Sequence, residues 1–464
     1  MNQTPPSAAA SIRDARPWPV RWSFYQIGVF ALCFLIILLD GFDTQAIAFA
    51  APLLKQQIAA DSRLLGQIFG AGLFGGFVGG LVFGPVADRI GRRPPLLLAL
   101  CLIAVGSCLT GMAGTAQQIA VLRFVTGLGL GGAIPTVIAI VAEYSPLARR
   151  STVVAGVFSG FPLGAVLGSV LSAYVLPHFG WQVLFIIGGV APVLPLVLAT
   201  LFLSESLHVL ARAGRSEQFN ALIRRLGDSA DSLLSDQESR RAVKKHGPMD
   251  AGTLAVLFSK RLALSTVLIW CVCFLSLLCV YCILNWLPTL VAGAGLPLQT
   301  ALLAAGAINV GSILGNVGVS RLNDRRSSCI PTGVAYCIGA LFIGLIGAAS
   351  SSSALMLGVC FAAGIFSVGA QMSITAIVAR LYPAAARGTA VGWSFSVGRL
   401  GGLVGPVLAG FLLSFGMGFQ TLMILMGALS LVSGIGIFAL SMTAGLNAHS
   451  AESPSVARSP GETA

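Results

Sequence analysis

The sequence predicts an all-α membrane protein with twelve transmembrane helices in two six-helix pseudo-repeats. Three observations predict it: twelve long apolar stretches, basic residues gathered in alternate loops, and landmarks that recur at an offset of 236 to 237 residues. A 464-residue chain that is 56% hydrophobic and 9% charged, with a mean hydropathy of +0.89, cannot cover itself with polar surface in water. In lipid the backbone must satisfy its own hydrogen bonds, so the apolar stretches are read as helices.

The spans are expected at 24–50, 64–87, 94–112, 117–142, 152–176, 182–203, 262–291, 299–320, 330–348, 353–379, 388–415 and 419–442. At ~1.5 Å per residue, about 20 residues cross ~30 Å of hydrocarbon. The first span is too long for a signal peptide, contains Asp40 and Asp43, and lacks a small-residue cleavage site, so the N-terminus is expected to stay uncleaved.

The formal charge of +12 is topological and not a nucleic-acid footprint. Arg13, Arg16 and Arg21 precede span one. Arg89, Arg92 and Arg93 follow span two, and Arg149 and Arg150 follow span four. Arg321, Arg325 and Arg326 follow span eight, and Arg380 and Arg387 flank the loop after span ten, whereas the opposite loops hold only Lys55 and Arg63. The basic side is expected to be cytoplasmic, with both termini on it, in a bacterial inner membrane.

Domain limits follow: a tail at 1–23, a bundle at 24–203, a polar central loop at 204–261 carrying Arg224, Arg225, Lys244 and Lys245, a second bundle at 262–442, and a tail at 443–464. The repeat maps Asp88-Arg89 onto Asp324-Arg325, Pro146 onto Pro383, Arg150 onto Arg387, and Gly164 and Gly168 onto Gly401 and Gly405. Parallel halves with a site between them suit alternating access. The ten cysteines lack metal or disulfide spacing and read as small buried thiols. There is no phosphate loop, metal cluster or nucleophile arrangement, so no enzyme and no cofactor is expected.

The residues with chemistry are charges inside the membrane, each costing ~2.5–3.5 kcal/mol when central. Asp40 and Asp43 share a helix face with Thr44. Asp40 and Arg123 lie at comparable depths from the outer ends of their spans, so an ion pair between them is geometrically possible. Arg399 lies roughly 18 Å from the inner end of span eleven, with no acid at its depth in its own half. A buried cation without a protein partner points to a ligand anion, which a guanidinium grips through two carboxylate oxygens; the alternative is a fixed bridge to Asp40 or Asp43. Phe42, Trp286, Trp393 and Phe395 are candidate ring contacts, the alternative for each being a lipid-facing or core position. Gly72, Gly76, Gly80 and Gly84 form a one-per-turn stripe read as helix packing. Glu143, at the inner end of span four, reads as a gate or topology residue, and His178 and His208 as loop residues.

The run Gly84-Pro-Val-Ala-Asp88-Arg89-Ile-Gly91-Arg92-Arg93 resembles the loop signature of the major facilitator superfamily, and span four, from Arg123 through Gly127, Gly129 and Gly131 to Pro135, resembles its arginine and glycine pattern. Span five lacks the Gly-Pro-x-x-Gly-Gly pattern of antiporters, which favours symport, although Gly405-Pro406 and Gly410 partly echo it. Leu39-Asp40-Gly41-Phe42-Asp43-Thr44-Gln45-Ala46, with Asn285-Trp286-Leu-Pro288 and Trp393-Ser-Phe-Ser-Val-Gly398-Arg399, is similar to the aromatic acid:proton symporter family. Leu203-Ser204-Glu205-Ser206-Leu207 is close to a Pro-Glu-Ser motif shared with sugar porters, with Ser204 in place of proline. The resemblance implies the major facilitator fold, a benzoate-like, hydroxybenzoate or phenylpropionate substrate, and protons as co-substrate. It further implies proton coupling at Asp40 and Asp43, transport roles for Arg123 and Glu143, control of the cycle by Asp88, and a substrate-facing Arg399. Substrate contact is thus expected from Arg399, Arg123, Trp393, Phe42 and Trp286. Gating is expected from Asp88, Arg89, Arg92, Arg93, Glu143, Asp324, Arg325 and Arg387, in a functional monomer. The rival expectations are another organic anion or a proton-coupled exporter of drugs or metabolites.

Overall fold

The computed structural model describes residues 22–58, 61–146, 149–205, 209–210, 215–226, 256–259, 262–326, 328–382 and 386–449. Arg13, Arg16, Arg21, His208, Lys244, Lys245 and Pro383 lie outside them, as do most of the central loop and the tails.

All twelve expected spans are helices long and apolar enough to cross a membrane: α1 Phe24–Gln57, α2 Ser62–Ile90, α3 Arg93–Gly111, α4 Ala116–Tyr144, α5 Arg150–Phe179 and α6 Trp181–Phe202, then, after a short amphipathic helix α7 at Ser216–Leu226, α8 Ala263–Gly293, α9 Leu298–Arg326, α10 Ile330–Ser351, α11 Ser353–Leu381, α12 Arg387–Ser414 and α13 Phe419–Thr443. Starts are set by local chemistry. Ser23 and Thr115 close capping boxes with Gln26 and Gln118, and Asp61 caps α2 by accepting from Leu64 N at 2.7 Å. Stops use positive-φ glycines, Gly91 after α2 and Gly180 after α5, where a side chain would be strained. The first helix outruns its expected end because Pro52, inside its last turns, does not stop it. Helix α11 carries a π-helical turn at Gly364–Val368, packed on Gly311 and Gly315 of α9.

Within each half the helices approach closely through glycine. Gly75, Gly79, Gly127 and Gly131 bring α2 and α4 backbone to backbone, and Gly398, Gly401 and Gly405 do the same for α12 against α8. The halves meet at the end opposite the basic loops. There Gly66 and Gly410 leave no room for side chains, Arg63 lies over the Phe411 ring at 4.9 Å, and Trp286 packs edge-on to Phe69 while donating to Pro406 O at 2.9 Å. Nearer the middle, Gln45 and Asn309 exchange reciprocal amide hydrogen bonds of 3.2 Å across the interface. At the basic end a Cβ added at Gly84, Gly388 or Gly392 would meet nothing within 4 Å. The contacts that seal the interface are therefore those at the outer-loop end, and these positions of α2 and α12 at the basic end face open space.

Candidate functional site

Above the seal, between the halves, lies a cavity of about 110 Å³ lined by α1, α2, α4, α5, α8 and α12. Its size is on the order of the ~150 Å³ space that holds one benzene ring in an engineered protein core. The four intramembrane charges Asp40, Asp43, Arg123 and Arg399 all line it.

Both Nη atoms of Arg123 are held, while its Nε is buried without a hydrogen-bond partner among the described residues. Its Nη1 donates to Asp43 Oδ2 at 3.1 Å, and its Nη2 reaches Ser107 Oγ at 2.8 Å, Thr126 Oγ1 at 3.2 Å and Thr110 Oγ1 at 3.3 Å. Ser107 Oγ in turn donates to Asp43 Oδ1 at 2.5 Å. Thr110 and Thr126 spend their own protons on the carbonyls of Gly106 and Leu122 one turn back, which leaves their oxygens free to accept from the guanidinium. The Phe185 ring covers it at 4.7 Å. The depth match of Asp40 with Arg123 is thus corrected: Asp43 holds the arginine. Three residues along a helix turn the side chain by about 60°, and the hydroxyls of α3 and α4 lie on the Asp43 side.

Asp40 is the opposite case. It is 3% exposed, and among the described residues neither carboxylate oxygen has a hydrogen-bond partner. Arg399 faces the same cavity with no carboxylate within 4 Å among the described residues, so the fixed bridge to Asp40 or Asp43 is not formed. Its Nη1 lies 2.8 Å from where a Cβ on Gly80 would stand. The glycine stripe of α2 is therefore more than packing. Gly80 makes room for a cation reaching over from the other half, and Gly72 and Gly76 form cavity wall.

The rings around these charges are Phe69, Phe77, Phe161 and Tyr281, joined by Asn285 and Thr44. The four rings expected from sequence lie elsewhere. Phe42 packs on Gly168 and Gly188, Trp286 is 1% exposed in the seal, Trp393 stacks on Trp270, and Phe395 is 48% exposed. Tyr281 is not among the residues expected to line the site and Asn285 is expected only as part of a family motif, although their one-turn spacing in span seven is a readable signal.

The residues expected to gate sit at the basic end. Arg92 bonds Asp88 at 2.6 Å and Glu143 at 3.2 Å; burial works against its charge, and the two carboxylates outweigh it and hold the guanidinium above the ordinary arginine value. Glu205 Oε1 accepts from Arg92 N at 2.7 Å and Arg93 N at 3.4 Å, and Arg93 donates to Thr200 O at 2.5 Å. Asp324 pairs with Arg380. Arg89, Arg325 and Arg387 are exposed. Each of these pairs lies within one half.

A profile of the Major Facilitator Superfamily matches residues 33–373 and 329–461. Among curated proteins the chain is 34% identical to the gallate transporter of Pseudomonas putida over 89% of this chain and 92% of that one, 33% identical to its 4-hydroxybenzoate transporter PcaK over 86% and 88%, and 31% identical to the 3-(3-hydroxy-phenyl)propionate transporter of Escherichia coli over 88% and 92%. In fold it resembles the inward open xylose transporter XylE of E. coli, with a TM-score of 0.69 at 18% identity, covering 89% of this chain and 96% of that one. It also resembles an inward-facing bacterial homologue of the lysosomal transporter Spinster, with a TM-score of 0.68 at 15% identity, covering 92% and 97%. The architecture and the interdomain cavity are those of a membrane transporter and not an enzyme. The chain belongs to the major facilitator superfamily.

Proposed function

We propose that this protein imports an aromatic carboxylate together with protons across a bacterial inner membrane, by alternating access, as a functional monomer with its basic loops and both termini in the cytoplasm. The observation that carries the reading is the pairing, in one ring-lined cavity, of a guanidinium without a carboxylate partner and a buried carboxylate without a donor, both among the described residues. The curated relatives transport gallate, 4-hydroxybenzoate and a hydroxyphenylpropionate, acids of one ring. The sealed end is then the periplasmic one and this conformer is inward-facing.

Arg399 takes the carboxylate, and Phe69, Phe77, Phe161 and Tyr281 take the ring. Asp40 exchanges the coupling proton, because protonating it breaks no ion pair or hydrogen bond, whereas protonating Asp43 undoes the Arg123 and Ser107 contacts. An ionised Asp40 repels the incoming anion and competes for Arg399, so a proton on Asp40 favours the substrate and, reciprocally, the substrate favours the proton. A potential of ~100 mV, negative inside, opposes monoanion entry by about 2.3 kcal/mol, close to fifty-fold. One proton per anion cancels that opposition. The ring walls and the cation favour aromatic acids over other organic anions.

The test is uptake of labelled 4-hydroxybenzoate into proteoliposomes under an imposed pH gradient, acid outside. Accumulation in wild type and its loss in Asp40→Asn support the reading. Export under the same gradient, or undiminished accumulation by Asp40→Asn, counts against it.

A further inference from the structure

A second recess, unrelated to the substrate cavity, opens where the basic ends of α1 and α6 diverge. It is a groove of about 380 Å³ walled by Tyr25, Leu32 and Leu35 of α1 and Phe202 and Leu203 at the end of α6. Its floor is small: a Cβ added at Gly28 would meet nothing within 4 Å. Phe24 stands 94% exposed at the rim, so the groove faces the bilayer and not the protein interior. From Phe24 to Leu35 it runs ~16 Å along α1, about half of the ~30 Å hydrocarbon thickness. That is the depth of one leaflet, measured from the basic side.

The mouth is polar and cationic. Helix α7 returns beneath the bundle with Leu222 and Leu226 buried, and Ser23 Oγ donates to Arg225 O at 2.6 Å, tying the helix to the start of α1. This sets the Arg225 guanidinium 5.9 Å from the Tyr25 ring centroid on one wall and its Nη1 3.5 Å from Ser204 Oγ beside the other. Arg225 is exposed and has no carboxylate within 4 Å among the described residues, and Arg224 is exposed next to it. The arrangement is a tail-length apolar slot with a cation across its opening.

We propose that this groove binds one anionic phospholipid of the basic-side leaflet, with an acyl chain between α1 and α6 and its phosphate on Arg225. Leaflet-deep length selects a lipid tail over a partner helix, which would span further. A cation with no counter-charge within 4 Å among the described residues selects an anionic headgroup over a zwitterionic one. Tyr25 also accepts from Ser204 N at 2.9 Å, and Glu205 beside it caps the Arg92 turn, so a bound headgroup would brace the segment that supports the Asp88 loop.

Native mass spectrometry of the purified, delipidated full chain tests this, with phosphatidylglycerol titrated against phosphatidylcholine of the same acyl chains. One phosphatidylglycerol should be retained at a concentration about fivefold lower, the preference expected from a single basic side chain at a lipid surface. Arg225→Gln should erase that preference and Arg225→Lys should keep it. Gly28→Trp, which fills the slot from an open position, should weaken retention of both lipids. Equal retention by wild type, a preference that survives Arg225→Gln, or retention indifferent to Gly28→Trp overturns the proposal. So does displacement by millimolar inorganic phosphate, which would mean that the tail contributes nothing.

Discussion

The two halves share a helix order and a repeat, yet they distribute charge in opposite ways. The first half buries Asp40, Asp43 and Arg123; at the same offset of 236 to 237 residues the second half has Ser276 or Leu277, Cys279 or Val280, and Val359 or Cys360, none of them charged. Where the first half ties α1 to α3 and α4 with an ion pair, the second ties α8 to α10 and α11 with neutral groups: Ser276 bonds the Tyr336 hydroxyl at 2.5 Å, and both bond Gln371. The single intramembrane charge of the second half, Arg399, is spent across the interface, over Gly80 of the first. At the basic rim one charge is inverted: Asp324 corresponds to Asp88 but Arg380 to Glu143, so the second half pairs Asp324 with Arg380 where, in the first, Asp88 and Glu143 both bond Arg92. The halves thus share a scaffold, while Asp40 and Asp43 of the first and Arg399 of the second lie on opposite walls of one cavity.

The comparison breaks most visibly at Arg123. Arg123→Ala leaves Asp43 as an uncompensated buried charge and should cost ~3–5 kcal/mol of stability, read as a large fall in thermal unfolding temperature in detergent. Asp43→Leu combined with Arg123→Leu should recover much of it. A single variant as stable as wild type would mean that the pair is not what holds the first half.

Next in size is the split between the two aspartates. Asp40→Asn should abolish accumulation driven by a pH gradient, spare counterflow down a substrate gradient, and leave the unfolding temperature close to wild type. Asp43→Asn should lose accumulation and stability together. Identical behaviour of the two variants would erase the distinction between a carboxylate without partners and a caged one.

The seal comes third. Asn309→Ala strands the Gln45 amide at a cost of ~1–3 kcal/mol, which should shift the population toward the outward-open state and raise the labelling of a cysteine placed at Ser62 by a membrane-impermeant thiol reagent. Gln45→Asn with Asn309→Gln should restore protection. The smallest effect on stability is expected at Asp88, whose side chain is 72% exposed. Asp88→Asn should change the stability of this conformer by no more than ~0.5 kcal/mol, while altering access to the cavity from the basic side if the loop acts on the opposite conformer.

Much of this was legible in the sequence because lipid makes charge conspicuous. Twelve apolar runs, and Asp40, Asp43, Arg123 and Arg399 within them, stand out without structural knowledge, and all four charges line the cavity. What was not legible is facing. A helix apolar all round carries no stripe to show which side meets a neighbour. The choice of Asp43 over Asp40 is made by Ser107 and Thr110 on another helix, and Trp286 was turned into the seal by Phe69 and the Pro406 carbonyl. Trp393 and Phe395 lie off the cavity for the same reason, since the face of α12 that carries Arg399 is set by its glycine packing on α8. Gly80 was visible only as part of a stripe, because its function depends on a side chain more than three hundred residues away.

The central claim is that Arg399 binds the substrate carboxylate, and the most direct measurement compares an aromatic acid with its neutral amide for binding to wild type, Arg399→Lys and Arg399→Ala. A hydrogen-bonded charged group is worth ~1.5–3 kcal/mol, so Arg399→Ala should weaken 4-hydroxybenzoate by roughly ten- to a hundred-fold and leave 4-hydroxybenzamide nearly unchanged. Arg399→Lys should fall between, keeping the charge but losing the two-oxygen grip. If Arg399→Ala weakened the acid and the amide equally, the guanidinium would be a packing element and the anion-binding account would be contradicted.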